Sequence, residues 1–396
     1  MNKRHVLMIA DHVPYVKYVT SLNADVTLFQ LPHRAHLVDP QICESVHFFS
    51  FRNVNLAISL AEQIHNIHPF DAVFSFTEEG VELASIIANH LNLVNNPIFT
   101  VQAALNKANL RTILNEKGIS VVKFIQTNEL LEGIEFAYSN SYPLVLKPSC
   151  GSGSKGIFIV QSDEDFVNAF KKVQLIDDNN LVLIEEFLDG PEFSVESISF
   201  DGKHHIITIT DKKIMEPNCV EVGHSLPSII NKEIQQSIEA VVLDVLNVLK
   251  VEIGPTHIEV KLTSKGPKIV EAHTRPGGDF IAYMVENALG IDMLTLSAKK
   301  YLGIDVDLPE KADGGAAVRY FQFTPGVVVS IEGLEKVKSD PNVIWVDFSL
   351  ETGDSVSDIV DSHSRNGCVV TKCSNVKEAI NQAERLVKEL KVVTRS

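Results

Sequence analysis

The chain has 396 residues, 45% of them hydrophobic, enough for roughly two or three domains that each bury a core. A net charge of −16 and a pI near 5.3 exclude nucleic acid and anionic membrane as main partners, because binding a polyanion needs a basic face. No apolar run approaches the ~18 residues of a membrane-spanning helix. The run Val6–Ala10 is also too short for a signal peptide. Five scattered cysteines (Cys43, Cys150, Cys219, Cys368, Cys373) without metal spacing fit a reducing, cytoplasmic setting.

Val6–Ala10 and Val26–Phe29 read as buried parallel strands, Asn55–His65 as a helix, Asp71–Phe76 as a third strand and Val81–Leu91 as a helix. This alternation predicts a small doubly wound α/β sheet over residues 1–100, with no glycine fingerprint after its first strand. Glu78-Glu79-Gly80 follows the third strand, at the end where ligands approach such sheets. Residues 101–125 read as a linking helical region. One helix, Thr100–Glu116, is capped by Thr100 and closed by Gly118, with Lys107 and Arg111 one turn apart.

Residues 126–196 read as a smaller domain. It holds the strand Leu144–Lys147, the loop Pro148–Gly156, the strand Ile157–Val160, the helix Asp163–Val173 and the strand Leu181–Glu186. Glu192–Phe200 alternates and continues as His204–Thr210 after a turn at Asp201-Gly202. Asn231–Lys250 is a long amphipathic helix. Thr256–Leu262 and Lys268–Ala272 form a hairpin, followed by helices Ala282–Leu289 and Met293–Leu302. The tail alternates over Ala316–Thr324, Val327–Ile331, Val343–Asp347 and Cys368–Thr371, then ends in a helix Lys377–Glu389. Residues 197–396 are thus expected to form a larger domain with an α+β extension.

The hairpin carries the first chemical signal. Glu259 and Glu271 fall near one end of it, and carboxylates close together in a sheet repel unless a cation sits between them. Oxygen ligands that leave room for water and phosphate suit Mg²⁺. The loop Ser149–Gly156, with Ser152, Gly153, Ser154 and Gly156, can lay backbone N–H groups along a polyphosphate. It lacks the order of a Walker loop, and no helix opens after it. Lys147, in an otherwise apolar strand, needs an anionic partner, and phosphate is the expected one. Glu185-Glu186-Phe187-Leu188 can offer a carboxylate and backbone groups to an adenine edge. Glu192 can accept from ribose hydroxyls.

In this order the parts resemble the ATP-grasp superfamily, over about Leu105–Leu302. The fold that this implies is α/β, with an N-terminal Rossmann-like parallel-sheet domain, a lid, and a catalytic antiparallel-sheet domain with a strand-rich tail. The resemblance also implies that Lys107 joins Lys147 on the phosphates of ATP. It assigns two Mg²⁺ ions to Glu259, Glu271 and His273, and stabilisation of phosphate oxygens and the tetrahedral intermediate to Arg275. The family's third metal position is asparagine. His273 is a poorer Mg²⁺ ligand than an amide oxygen, so weaker binding, a water, or Mn²⁺ is expected there.

Within the superfamily the chain most resembles the L-amino acid ligases, over nearly its whole length. That implies ADP-forming dipeptide synthesis in the cytoplasm through an acyl phosphate, with ATP and free amino acids as partners and a homodimer as the assembly. Glu221-Val-Gly-His224 is similar to that family's Glu-x-x-His substrate loop, with Glu221 for the substrate ammonium and His224 for the oxyanion. The residues after Arg275, namely Gly277, Gly278 and Asp279, correspond to the pocket for the N-terminal amino acid's side chain. Asp279 is expected to meet a cationic side chain there, arginine first. Two other readings compete. A carboxylase or purine-pathway ligase is disfavoured by the lack of a lysine-rich phosphoribosyl site. A non-catalytic nucleotide-binding protein has only His273 in its favour.

Overall fold

The strand Arg4–Ile9 is apolar from Val6 onward because both its faces are covered. It pairs in parallel with Ala24–Gln30 and Ala72–Phe74, and Ser45–Phe48 adds an edge beyond Ala24–Gln30. Val6 and Met8 face the helices Val13–Thr20 and Met293–Tyr301, while Leu7 and Ile9 face Val54–Ile67 and Glu78–His90. The computed structural model describes residues 3–151, 153, 155–177, 179–215 and 220–395. No helix among these is long and apolar enough to cross a membrane. Cys43, Cys150, Cys368 and Cys373 are free thiols, and Cys219 lies outside the described residues.

The single helix expected over Thr100–Glu116 is two helices, Ile98–Leu105 and Lys107–Glu116. Asn106 leaves the helix at φ −108°, and its side-chain oxygen accepts from the Asn109 N–H at 3.0 Å as a new cap. Thr100 is no cap, because its hydroxyl donates to the Leu249 carbonyl at 2.6 Å. The break puts Lys107 at a helix start, where its N–H donates to the Ser149 carbonyl at 2.9 Å.

The lid is a four-stranded antiparallel sheet in the order Phe124–Thr127, Val182–Glu186, Leu144–Lys147, Phe158–Val160. The helices Leu130–Asn140 and Asp163–Gln174 cover it through Ala137, Phe166 and Phe170. A larger sheet of eight strands runs Gly266–His273, Gly254–Thr263, Glu192–Phe200, Lys203–Met215, Val220–Leu226, Gly315–Tyr320, Cys368–Cys373, Val343–Asp347. Its neighbours are all antiparallel. The helix Lys232–Val248 packs on the hairpin side of this sheet through Val242 and Leu246, and Ile281–Leu289 packs on its other half through Met284 and Val285. The tail strands Gly315–Tyr320, Cys368–Cys373 and Val343–Asp347 therefore extend the sheet that carries the hairpin, while Gly326–Glu332 forms a separate three-stranded sheet with Ser355–Val356 and Lys391–Arg395.

Glu221-Val-Gly-His224, expected in a loop, lies in the strand Val220–Leu226. Its pairing to Lys203–Met215 on one side and to Gly315–Tyr320 on the other accounts for this, and the second partner lies about ninety residues away in sequence. Where the chain crosses from lid to larger sheet, Gly190 has φ +86°, and a Cβ there would fall 2.0 Å from the Leu262 carbonyl oxygen. Gly190→Ala is expected to cost about 1–3 kcal/mol. The check is a lower urea midpoint at an unchanged m-value.

Candidate active site

Cross-strand pairing sets Glu259 opposite Glu271 and His257 opposite His273 on the hairpin. Residues two apart share a face of a strand, so the four side chains converge. His257 Nε2 lies 3.5 Å from Glu259, and His273 Nε2 lies 3.3 Å from Glu271. Each carboxylate meets an ammonium group. Lys212 Nζ lies 3.0 Å from Glu259, and Lys107 Nζ lies 3.4 Å from Glu271. Burial would raise both carboxyls, but Lys212 and His257 hold Glu259 well below the usual range. Lys107 and His273 lower Glu271. Burial would lower His257, but Glu196 at 3.0 Å and Glu259 raise it to about 9.

The lysine ammonium groups stand where the sequence led us to expect divalent ions, so the acidic donor set fits hard cations. His273 is held on its other side as well, with Nδ1 3.0 Å from Glu78. A carboxylate on one nitrogen of an imidazole fixes the ring so that the other nitrogen can bind a metal. Glu78 also accepts from Arg275 Nε at 2.6 Å. Burial would raise its carboxyl, but His273 and Arg275 keep it far below the usual range. Glu79, its neighbour, turns instead to Arg34 at 2.9 Å.

One cavity brings most of the expected nucleotide residues together. Lys107, Lys147, Gly153, Glu185, Glu186, Phe187, Leu188 and Glu192 line it, and so do Glu221, Glu259, Glu271, His273 and Arg275. Val145, Ile157, Ile159 and Val270 supply an apolar wall that suits a flat base. Gly156 lies outside this lining, beside Pro148 and Ile176. Ser152 and Ser154 lie outside the described residues.

Three placements depart from expectation. The anion beside Lys147 is Glu185, at 2.8 Å, so the carboxylate proposed for an adenine edge is already engaged. Arg111 completes that group: its Nε donates to Glu185 at 2.5 Å and its other nitrogens to the Ile269 and Val270 carbonyls. Burial would push Glu185 up, but Arg111 and Lys147 hold it at about 2. Glu221, expected to face a substrate ammonium, lies 3.3 Å from Lys212 Nζ and accepts from the Ser362 hydroxyl at 3.0 Å. Asp279, expected to face a substrate cation, accepts from both terminal nitrogens of Arg365, at 2.6 and 2.7 Å.

His224 Nε2 lies 3.1 Å from Asp279, and its Nδ1 has no partner among the described residues. Gly277, Gly278 and Asp279 line a second cavity, of about 930 Å³, between the first domain and the tail. A Cβ at Gly277 would sit 2.8 Å from His257 Nδ1, so only glycine lets this turn approach the hairpin.

Lys212 is the central residue that sequence reasoning missed. Its side chain is only 2% exposed and touches Glu192 at 2.6 Å as well as Glu221 and Glu259. Burial opposes its charge, but the three carboxylates raise its pKa well above the usual lysine value. The available signal was a lysine in register with the alternation that begins at His204.

Comparisons with known proteins agree with this geometry. Residues 140–282 match the ATP-grasp domain, and residues 319–395 match the L-amino acid ligase C-terminal domain 2. The chain is similar to an L-arginine-specific L-amino acid ligase of Bacillus subtilis, with 22% identity over 76% of this chain and 74% of the relative. It is also similar to dapdiamide A synthase of Enterobacter agglomerans, with 25% identity over 76% and 74%. Its fold is similar to the crystal structure of an L-amino acid ligase from Bacillus licheniformis, with a TM-score of 0.87 and 23% identity over 100% of this chain and 99% of the other. An ATP-grasp region that holds nucleotide-type residues around paired carboxylates is thus joined to a tail of the ligase type, so the chain carries an ATP-grasp domain followed by an L-amino acid ligase C-terminal domain, the make-up of an ATP-dependent carboxylate–amine ligase.

Proposed function

We propose that the chain uses ATP to join the carboxyl group of one amino acid to the amine of another, releasing ADP and phosphate. The observation that carries this reading is the pairing of Glu259 with Glu271 in one cavity with Lys107, Lys147, His273 and Arg275. A free carboxylate is a poor electrophile. Its oxygen attacks the γ-phosphorus, the bond to the β–γ bridging oxygen breaks, and an acyl phosphate and ADP result. The amine then attacks the acyl carbon and loses a proton, and the bond to the phosphate oxygen breaks.

Glu259 and Glu271, with His273 as a further ligand, would hold two Mg²⁺ ions, or Mn²⁺ at the histidine, which neutralise phosphate charge when bound. Lys107 and Lys147 exchange Glu271 and Glu185 for phosphate oxygens. Arg275, oriented by Glu78, donates to phosphate and to the tetrahedral intermediate. Glu192 and the Glu185–Leu188 segment take the nucleoside, and His224 donates towards the oxyanion. The lid excludes water from the acyl phosphate. A homodimer belongs to the same reading.

Two observations point to arginine as the N-terminal substrate: the carboxylate of Asp279 and the name of the Bacillus subtilis relative. Against it stands Arg365, which already neutralises that carboxylate. The reading carried forward is a ligase for an uncharged side chain. Phosphate release with ATP and Mg²⁺, across amino acids singly and in pairs, tests the ligase activity. Release that requires amino acids, with the matching dipeptide by mass spectrometry, is expected. Release with bicarbonate alone, or none with any pair, would overturn it.

A further inference from the structure

We infer that Arg365, from the tail, sets the charge selectivity of the amino-acid pocket by neutralising Asp279 from within the chain, so that the second cavity accepts an apolar side chain and refuses a basic one. This inference rests on the ligase reading above.

A substrate guanidinium would need both oxygens of Asp279 for a bidentate contact, and Arg365 occupies both. Displacing Arg365 would also break its bonds to the Ser362 and Glu221 carbonyls and its stacking 3.7 Å over the Tyr320 ring. It would leave a largely buried cation without its counter-charge. Asp279 and Phe280 both sit at positive φ, +51° and +63°. Consecutive non-glycine residues in that region are strained, and here the strain turns the carboxylate towards the tail.

The rest of the cavity suits an apolar side chain. Tyr15, Phe280, Tyr283, Tyr320 and Trp345 line it. Its other carboxylates are less suited to a buried pairing, since Asp292 caps a helix through Thr295 and Asp347 is exposed. Lys17, also on the wall, is exposed as well and would repel a basic substrate.

Trp345 is the chain's single tryptophan, so its fluorescence reports occupancy of this cavity without requiring turnover. Titrations of the full chain with leucine, arginine and glutamate, excited at a wavelength selective for tryptophan, separate the two ideas. The wild type is expected to saturate with leucine at about tenfold lower concentration, or less, than with arginine. Arg365→Gln is expected to shift that ratio towards arginine by about tenfold or more, and Asp279→Asn to shift preference towards glutamate. Arg365→Lys keeps the charge and is expected to keep the leucine preference. Arginine binding the wild type as tightly as leucine would overturn the inference. So would an unchanged ratio in Arg365→Gln or, if that variant does not fold, no shift in Asp279→Asn. A chain that binds leucine selectively but releases no phosphate with any amino-acid pair would count against the ligase reading and leave this one standing.

Discussion

Glu271→Gln is expected to lower kcat for amino-acid-dependent phosphate release by about a hundredfold or more. Glutamine keeps the shape and one oxygen of the side chain but removes the charge that faces Lys107, His273 and the cross-strand Glu259. The loss should fall on kcat and on the Mg²⁺ dependence rather than on folding, because Lys107 still donates to the Gly151 carbonyl at 2.7 Å. Steady-state kinetics at several Mg²⁺ concentrations read both effects. Turnover at the wild-type rate would remove the hairpin carboxylates from the mechanism.

Arg111→Met is expected to have the largest effect on stability. Arg111 is 1% exposed and ties three parts of the molecule together: the helix Lys107–Glu116, the lid strand Val182–Glu186 and the hairpin strand Gly266–His273. Arg111→Met leaves the Ile269 and Val270 carbonyls without their side-chain donor and Glu185 with Lys147 alone, at a cost of about 3–5 kcal/mol. The pH dependence gives a second check. Glu185 titrates at about 2 in the folded chain, below its ordinary 4.5. Its stabilisation is therefore complete above pH 4.5 and is lost as pH falls through about 2. In Arg111→Met only Lys147 remains, so this acid-dependent part should shrink. Urea midpoints at neutral and acid pH measure it, and an unchanged midpoint at neutral pH would contradict the role given to Arg111.

Much of the site was legible because its chemistry is local in sequence. Glu259 and Glu271 belong to one hairpin, and a turn between two alternating runs is enough to bring them near each other, while a register shift between Glu259 and Val260 sets them directly opposite. Lys147 and the loop after it stand out because a charge in an apolar strand demands a partner. The identity of that partner was not legible, since Glu185 reaches Lys147 only through strand pairing across the lid. Lys212 was hidden for a related reason. Asp211-Lys212-Lys213 looks like the polar end of a strand, but the pairing with Val220–Leu226 carries the strand on to Met215. Lys212 is thereby buried among acids from three other strands. Arg365 lies in a polar turn after Ser362–Ser364, and only the tail's docking on the larger sheet brings it to Asp279. Tertiary pairing, which no local pattern encodes, decided each of these cases.

In the proposed reaction a substrate carboxylate is activated by taking the γ-phosphoryl group of ATP. Carrying the reaction out with an amino acid labelled with ¹⁸O in both carboxylate oxygens tests it directly. One ¹⁸O atom is expected in each released phosphate, with the other retained in the dipeptide's new amide carbonyl. Released phosphate free of ¹⁸O would mean that water attacks the γ-phosphorus, and would rule out the acyl phosphate.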